Sequence, residues 1–457
     1  MTHLLNRSEL EQLDKPALLD LILQLAARIE QLEGSSRPPP TTSQNSSQPP
    51  SQDQKPSQRT PRGKAKHGPP HGHTGHTHPW VESPDHHVMC PVPPCGGCGA
   101  ALSHLPATVL RRHQVMELPP TVVHVIEVHC PGVTCPQCGT TTIATPPPGL
   151  EADRVYGSRL HAMVAYLKHH QHLSYARLDQ VLQDVFGLSI SQGAIDQILR
   201  RMGSAAHPAA AAIQAQVVAA PVIHSDETGS RLDGEKAWHW VFLTPHAVLH
   251  HLNRSRGGTV PQTIMGDHRA EVWVCDCWAG QLQAPAATIQ LCLSHQVRNL
   301  QAVIDLQVDE SIWAAQMQAI FYNVMRLAHP SHRATIPPAI FQAEHRDLER
   351  QLAILLAETV PKGAARTLQR RYQKHRDHLF VCLTRPDVPA TNNVAERAVR
   401  PSVIHRKVTN GFRSQWGADA YMAILSVTDT ARIQGQSPMQ ALLHVLEPPA
   451  LPLTPPE

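Results

Sequence analysis

Three acids and two cysteine pairs carry the chemistry legible in this chain. The acids are Asp226 in Ser225-Asp-Glu-Thr228, Asp276 at the end of Glu271-Val-Trp-Val-Cys-Asp276, and Glu396 in Thr391-Asn-Asn-Val-Ala-Glu-Arg-Ala-Val-Arg400. Three hard oxygen donors suit Mg²⁺ or Mn²⁺ better than zinc. Two such ions about 3.5–4 Å apart can deprotonate an attacking hydroxyl and stabilise the leaving oxygen of a phosphodiester. That chemistry runs on positioning and charge neutralisation, without a covalent protein nucleophile. No Ser/His/Asp set stands out as an alternative. Alone, Glu396 also reads as a surface helix acid paired with Arg400 at i, i+4. The helix spacing would turn Val394, Ala398 and the stem of Arg397 inward.

The cysteines form Cys95-Gly-Gly-Cys98-Gly99 and Cys135-Pro-Gln-Cys138-Gly139. Such knuckles supply four thiolates in the tetrahedral set zinc prefers, and four thiolates leave no open position, so the zinc would be structural. The glycine after each second cysteine permits the tight turn. Cys90 and Cys130, five residues before each knuckle, read as free thiols or as part of a second site. Between the knuckles, Thr121-Val-Val-His-Val-Ile-Glu-Val128 alternates like a strand.

With 457 residues, two to four structural units are expected. The formal charge of +3 excludes a bulk electrostatic grip on nucleic acid, so any such grip needs local patches. No run of about 18 apolar residues occurs, and Met1–Asn6 lacks a signal-peptide pattern, so a cytoplasmic protein without a membrane partner is expected. There, thiols and metal ligands are favoured over disulfides.

The elements that must position these residues follow in order. Residues 8–33 read as a helix with a Ser8/Glu11 capping box. Leu18, Ile22, Leu25, Ile29 and Leu32 form a short coiled-coil seam, which predicts self-association into a homo-oligomer. Residues 34–85 are a Pro/Ser/Gln-rich linker expected to be disordered, ending in basic residues and a tract from His67 to His78. Residues 86–148 form the zinc-binding domain. Residues 150–205 are helical: a helix ending at Gly187, a turn, and a helix from Ser191 read as helix-turn-helix-like, with Gln192 and Gly193 at the DNA-contacting end.

Residues 215–303 switch to strands. Val217–His224 delivers Asp226; Ala237–Leu243 and Ala247–Leu252 follow; a short helix runs to Met265; then come strands Glu271–Asp276 and Ile289–Leu293, and a helix from Ser294. Three meandering strands, a helix, a parallel strand and further α/β units are the order of a ribonuclease-H-like core. In that fold the first and fourth strands are neighbours, so Asp226 and Asp276 can meet. Residues 304–388 read as a helical insertion broken near Pro330 and at Val360–Gly363. Residues 389–446 are the second part of the core, with the Glu396 helix. The expected fold class is therefore α/β multidomain.

These residues together resemble the DDE transposases of the insertion sequence 66 type (transposase C family). The resemblance rests on the leucine-rich N-terminal helix, the paired CxxC segment, Asp226-Glu-Thr228, Cys292-Leu-Ser-His295-Gln-Val-Arg298, Asn392-Asn-Val-Ala-Glu396-Arg397, Arg406-Lys407 and Ser414-Gln-Trp-Gly417. It implies Mg²⁺ or Mn²⁺ held by Asp226, Asp276 and Glu396. Thr228, His295, Arg298, Asn393, Arg397, Arg406 and Lys407 would surround them or touch DNA phosphates. The implied reaction cleaves the 3′ ends of the element and joins them to target DNA. Its partners are the terminal inverted repeats, target DNA and accessory proteins of the element. The implied setting is the bacterial cytoplasm, on the nucleoid when DNA-bound. The family's second Asp is usually followed by Gly and an aromatic, where this chain reads Asp276-Cys-Trp-Ala-Gly280. Asp267, in the turn before that strand, is the rival ligand. Two other readings stay open: a metal-dependent nuclease of the same fold, and a catalytically inactive zinc-ribbon and helix-turn-helix DNA-binding protein.

Overall fold

Five apolar segments pair into one mixed sheet in this computed structural model, which describes residues 79–446 except 107, 120, 122, 153 and 307–309. The coiled-coil helix of 8–33 and most of the 34–85 linker lie outside the described residues. The described chain belongs to two compact units, 79–124 and 125–446.

In the first unit, Gln114 brackets the backbone of Val81 through both its amide atoms, and Arg112 stacks over Trp80 at 5.0 Å. The knuckle Cys95–Gly99 closes with Cys95 N–H to Ala100 O and Gly99 N–H to Cys95 O, with Gly99 at φ +74°. In the second unit, strands β1 (Gly132–Thr134) and β2 (Thr141–Ile143) form a hairpin around the other knuckle. It repeats the same turn, with Gly139 at φ +74° and Cys135 N–H bonded to Thr140 O. The strand expected over Thr121–Val128 is absent from its described residues. Alternation alone does not make a strand: the backbone needs a ladder partner.

The helical segment comprises α1 (Ser158–Ala165, prolonged by a wide turn to His170), α2 (Tyr175–Phe186) and α3 (Gln192–Val218). Gly187 ends α2 in the left-handed conformation at φ +66°, and the Ser191 hydroxyl accepts from Ala194 N–H to start α3. α3 then continues through Pro208 to Val218, well past the expected boundary. Val217 therefore ends a helix and does not open a strand. Buried in either setting, it carries no period that separates the two.

The sheet contains β3 (Val222–Leu232), β4 (Glu235–Leu243), β5 (Val248–Asn253), β6 (Ala270–Cys275) and β7 (Ala286–Leu291), in the order β5-β4-β3-β6-β7. β3, β4 and β5 are antiparallel neighbours; β6 and β7 run parallel to β3. Helix α4 (Thr259–Met265) links β5 to β6, and α5 (Leu293–Asp305) leaves β7. Then come α6 (Ser311–Ala328), α7 (Pro330–Thr335), α8 (Pro338–Ala357), α9 (Ala364–Lys374) and α10 (Val381–Thr384). Two of their breaks fall at Pro330 and at Pro361–Gly363, as expected; two more, at Ile336–Pro337 and between Lys374 and Val381, were not expected. The chain closes with α11 (Asn393–Ala398), α12 (Arg400–Thr409), α13 (Gln415–Ile433) and α14 (Pro438–His444).

Strand β5 is a sheet edge, and α13 covers it. Ser426 Oγ and Thr430 Oγ1, one turn apart, accept the edge N–H groups of His250 and Val248 at 2.9 Å each. Asp429 of the same helix holds His250 Nε2 at 3.0 Å, and His250 Nδ1 meets His239 Nε2 at 2.9 Å. Side chains thus satisfy an edge that would otherwise expose unpaired backbone groups.

α13 in turn packs closely on α3, with the backbone of Gly203 against Ala420. A Cβ at Gly203 would stand 2.5 Å from Ala420 Cβ. Gly203→Ala is expected to force the helices apart and cost about 1–3 kcal/mol. A lower urea midpoint with unchanged slope would register this; an unchanged midpoint would show that the contact yields freely.

Candidate active site

Strands β3 and β6 bring the two aspartates together. His224 lies opposite Val274 in the parallel register. Extended by two residues, that register sets Asp276 level with Asp226, and strand alternation sends both to the face of His224. Just beyond β6, Asp276 Oδ1 accepts the Trp278 N–H at 2.9 Å and turns the chain. Asp267 is exposed at the opposite end of β6, so Asp276 is the acid that shares the level of Asp226.

Asp226 is half-buried, and its Oδ1 accepts the Glu227 N–H at 2.9 Å. Burial first, then the negative charges of Glu227, Asp276 and Glu396, hold its carboxyl well above its ordinary value of 3.8. Four acids therefore act on one another across the ends of two strands.

Glu396 reaches this face on α11, and Asn392 is the joint that places it. Asn392 is 1% exposed. Its Nδ2 donates to Ser225 O at 2.8 Å, its Oδ1 lies 3.1 Å from His224 Nδ1, and its backbone N–H donates to Cys292 Sγ at 3.1 Å. Ala395 and Val399 then pack on Val241, Leu243 and Val248. The inward face is thus one position away from the expected Val394, Arg397 and Ala398: Val394 and Arg397 are exposed. The burial of Asn392 sets the rotation of the helix, and amphipathic spacing over six residues is too short to reveal it. Glu396 Oε1 lies 3.4 Å from both His295 Nδ1 and Arg298 Nη2, and the pair with Arg400 does not form. Burial and the nearby Arg298 push the His295 ring down to about 4, so it is neutral near pH 7.

The remaining expected residues divide by exposure. Asn393, Arg397 and Lys407 are exposed; Thr228 is half-buried on β3. Arg406 donates to Gly229 O and so clamps β3. Among the described residues, the one set of three ligand-type atoms within 4.8 Å of one another belongs to Cys292, His295 and Glu396. Asp226 and Asp276 stand outside that set. Their chemistry still fits a hard dication: carboxylate oxygens, with mutual repulsion around Asp226 that a cation relieves.

Glu227 was not singled out by sequence, although it stands beside Asp226. It points to the other face of β3 and is 8% exposed. Arg256 Nε donates to its Oε1 at 2.8 Å, and Gln281 Nε2 to its Oε2 at 2.6 Å. Gln281 Oε1 also accepts from Ser225 Oγ at 2.9 Å, and Arg256 sits between Trp238 and Trp278 at 4.5 and 3.9 Å. Adjacent acids in one strand must face opposite ways, which was a usable signal; the identity of the partners was not. In the knuckles, backbone donors from Cys98 and Gly97 lower the Cys95 thiol, and Thr140 lowers Cys138. Both shifts favour thiolates.

By sheet and acid face, this is a mixed α/β protein with a carboxylate-rich site. Residues 154–420, more than half of the chain, match the model of the Transposase IS66 family. The chain belongs to that family, a group of DNA-processing enzymes. No curated protein matches it.

Two outcomes follow from this geometry. Asn392→Ala strips the side-chain partners of His224 and of the buried Ser225 carbonyl; a loss of roughly 2–4 kcal/mol is expected from the unpaired groups, read by chemical denaturation. Asp226 binds its proton more tightly when folded than when unfolded. Its contribution to folding is therefore present at low pH and lost as pH rises from 3.8 through the raised native value. Asp226→Asn should accordingly stabilise the metal-free protein at pH 7, read as a higher urea midpoint than wild type. The gain should vanish below pH 3.8.

Proposed function

We propose that this chain is a transposase that cleaves DNA at the ends of an insertion sequence and joins the freed 3′-OH to target DNA, using Mg²⁺ or Mn²⁺ at Asp226, Asp276 and Glu396. The carrying observation is the shared face. Asp226 on β3 and Asp276 just past the end of the parallel strand β6 come level when the β3–β6 register is extended, Asn392 fastens the Glu396 helix to β3, and burial together with the charges of Glu227, Asp276 and Glu396 raises the Asp226 carboxyl. The sheet order, three antiparallel strands and then two parallel to the first, supports a ribonuclease-H-like core. Helices α6–α10 read as an insertion between its two parts.

Bound there, the metal ions would supply charge neutralisation at the phosphodiester and activation of the attacking hydroxyl. The protein's own groups do the rest. His295 and Arg298 steer the Glu396 carboxylate, and Arg406 fixes the level of β3. Asn393, Arg397 and Lys407 offer exposed polar and cationic groups to the DNA backbone, where contacts position without reading sequence. Gln192 and Gly193, exposed at the start of α3, are the contact end of the helix-turn-helix-like pair. Each cysteine knuckle offers two thiolates to structural zinc. The chain works as a homo-oligomer on the nucleoid of a bacterial cell, with accessory proteins of the element. Among the described residues, no helix is long and apolar enough to cross a membrane.

The test uses the full chain, Mg²⁺ and a labelled duplex carrying the inverted repeats that flank its gene. Nicked ends and joined products are expected. Asp226→Asn, Asp276→Asn and Glu396→Gln should each lower cleavage at least about a hundredfold, and His295→Gln about ten- to a hundredfold. Cleavage without joining would make the protein a nuclease. DNA binding without cleavage would make it an inactive binding protein.

A further inference from the structure

We propose that Cys292, His295 and Glu396 form a separate cation site for zinc-class ions, which borrows Glu396 from the acid face. Their ligand atoms lie within 4.8 Å of one another. Around a tetrahedral zinc, with bonds of about 2.0–2.3 Å, ligand atoms sit about 3.4–3.6 Å apart, so small side-chain rotations close the set.

Three further observations point to an ion. His295 Nδ1 is buried and has no hydrogen-bond partner among the described residues, yet it faces Glu396 Oε1 at 3.4 Å. A buried ring nitrogen left unpaired is costly, and a cation answers it. Cys292 Sγ already accepts the Asn392 N–H at 3.1 Å, the kind of support a metal-bound thiolate receives. Burial pushes the Cys292 thiol up to about 11, so the ion must displace its proton. Cys292 and His295, three apart, project from one side of the start of α5.

The donor set selects the ion. Sulfur, imidazole nitrogen and one carboxylate oxygen suit Zn²⁺, Co²⁺ or Cd²⁺, whereas Mg²⁺ wants oxygen throughout. On binding, the Cys292 S–H bond gives its proton to solvent and a metal–sulfur bond replaces it. The ion also displaces Arg298 from Glu396 Oε1. Three protein ligands leave the fourth position to water. An ion held here withdraws Glu396 from Asp226 and Asp276; this consequence alone rests on the proposed reaction.

The test counts ions on the full-length chain, stripped with chelator and refilled with Co²⁺. The wild type should bind one ion more than Cys292→Ser and one more than His295→Gln. The knuckles and the histidine tract are common to all three and cancel in the difference. The lost ion should carry a thiolate charge-transfer band. Because Cys292 is buried, His295→Gln serves as the variant least exposed to misfolding, with near-ultraviolet circular dichroism as its control. Equal counts in wild type and His295→Gln overturn the site, whatever the chain does to DNA. For the consequence, wild type holding only its knuckle zinc is given one further equivalent. Mg²⁺-dependent cleavage should fall at least tenfold and return with chelator. Unchanged cleavage overturns the sharing of Glu396, whereas absence of cleavage before the addition counts against the proposed reaction instead.

Discussion

One buried amide fastens the acid face together. Asn392 touches three elements distant in sequence: strand β3, through the Ser225 carbonyl and His224; the β7–α5 junction, through Cys292; and its own helix α11, which it begins. Its backbone N–H, its Nδ2 and its side-chain oxygen each find a partner inside the protein, where an unmet polar group is expensive. That makes the joint directional. Apolar packing of Ala395 and Val399 alone would tolerate rotation of so short a helix, and a small rotation would carry Glu396 away from Asp226.

The face so built opposes folding. Like charges gather around Asp226 while cations are kept at the margins: Arg256 serves Glu227 on the opposite side of the strand, and Arg298 serves Glu396. Strain of this kind persists only where other contacts over-determine the geometry. Here they include the Gln281 network under β3, Phe242 stacked on Trp240 and edge-on to Trp273, and the clamp of Arg406 on Gly229. A site that repels itself when empty is suited to a charged occupant, and the cost falls on stability.

The far side of the sheet is held by a different device. Strand β5 lacks a strand neighbour on one side, and α13 supplies hydroxyls and a carboxylate in its place. The same helix meets α3 at Gly203. The helical segment that precedes the sheet is thus bound to the last helices of the chain, and the long excursion through α6–α10 returns to a prepared position.

Much of this was legible in the residues. Gly187 and Ser191 marked the helix ends because a left-handed cap and a hydroxyl cap are local requirements. Most strands of the sheet were legible as apolar runs, and the acids of the candidate site were legible as residue types. What local pattern could not supply was phase and partnership. Val217 looked like a strand and ends a helix, because burial on all sides erases the period. The face of α11 was misjudged because Asn392, a polar residue, is the buried one. Glu227 found Arg256 and Gln281, and Glu396 found His295 and Arg298, only through folding. By itself the sequence determined helix ends such as Gly187 and Ser191 and which residue types can do chemistry, since capping and donor type are local. Tertiary structure alone decided which of those residues meet, because register between β3 and β6 and the rotation of α11 are set by hydrogen bonds between residues 50 to 168 positions apart.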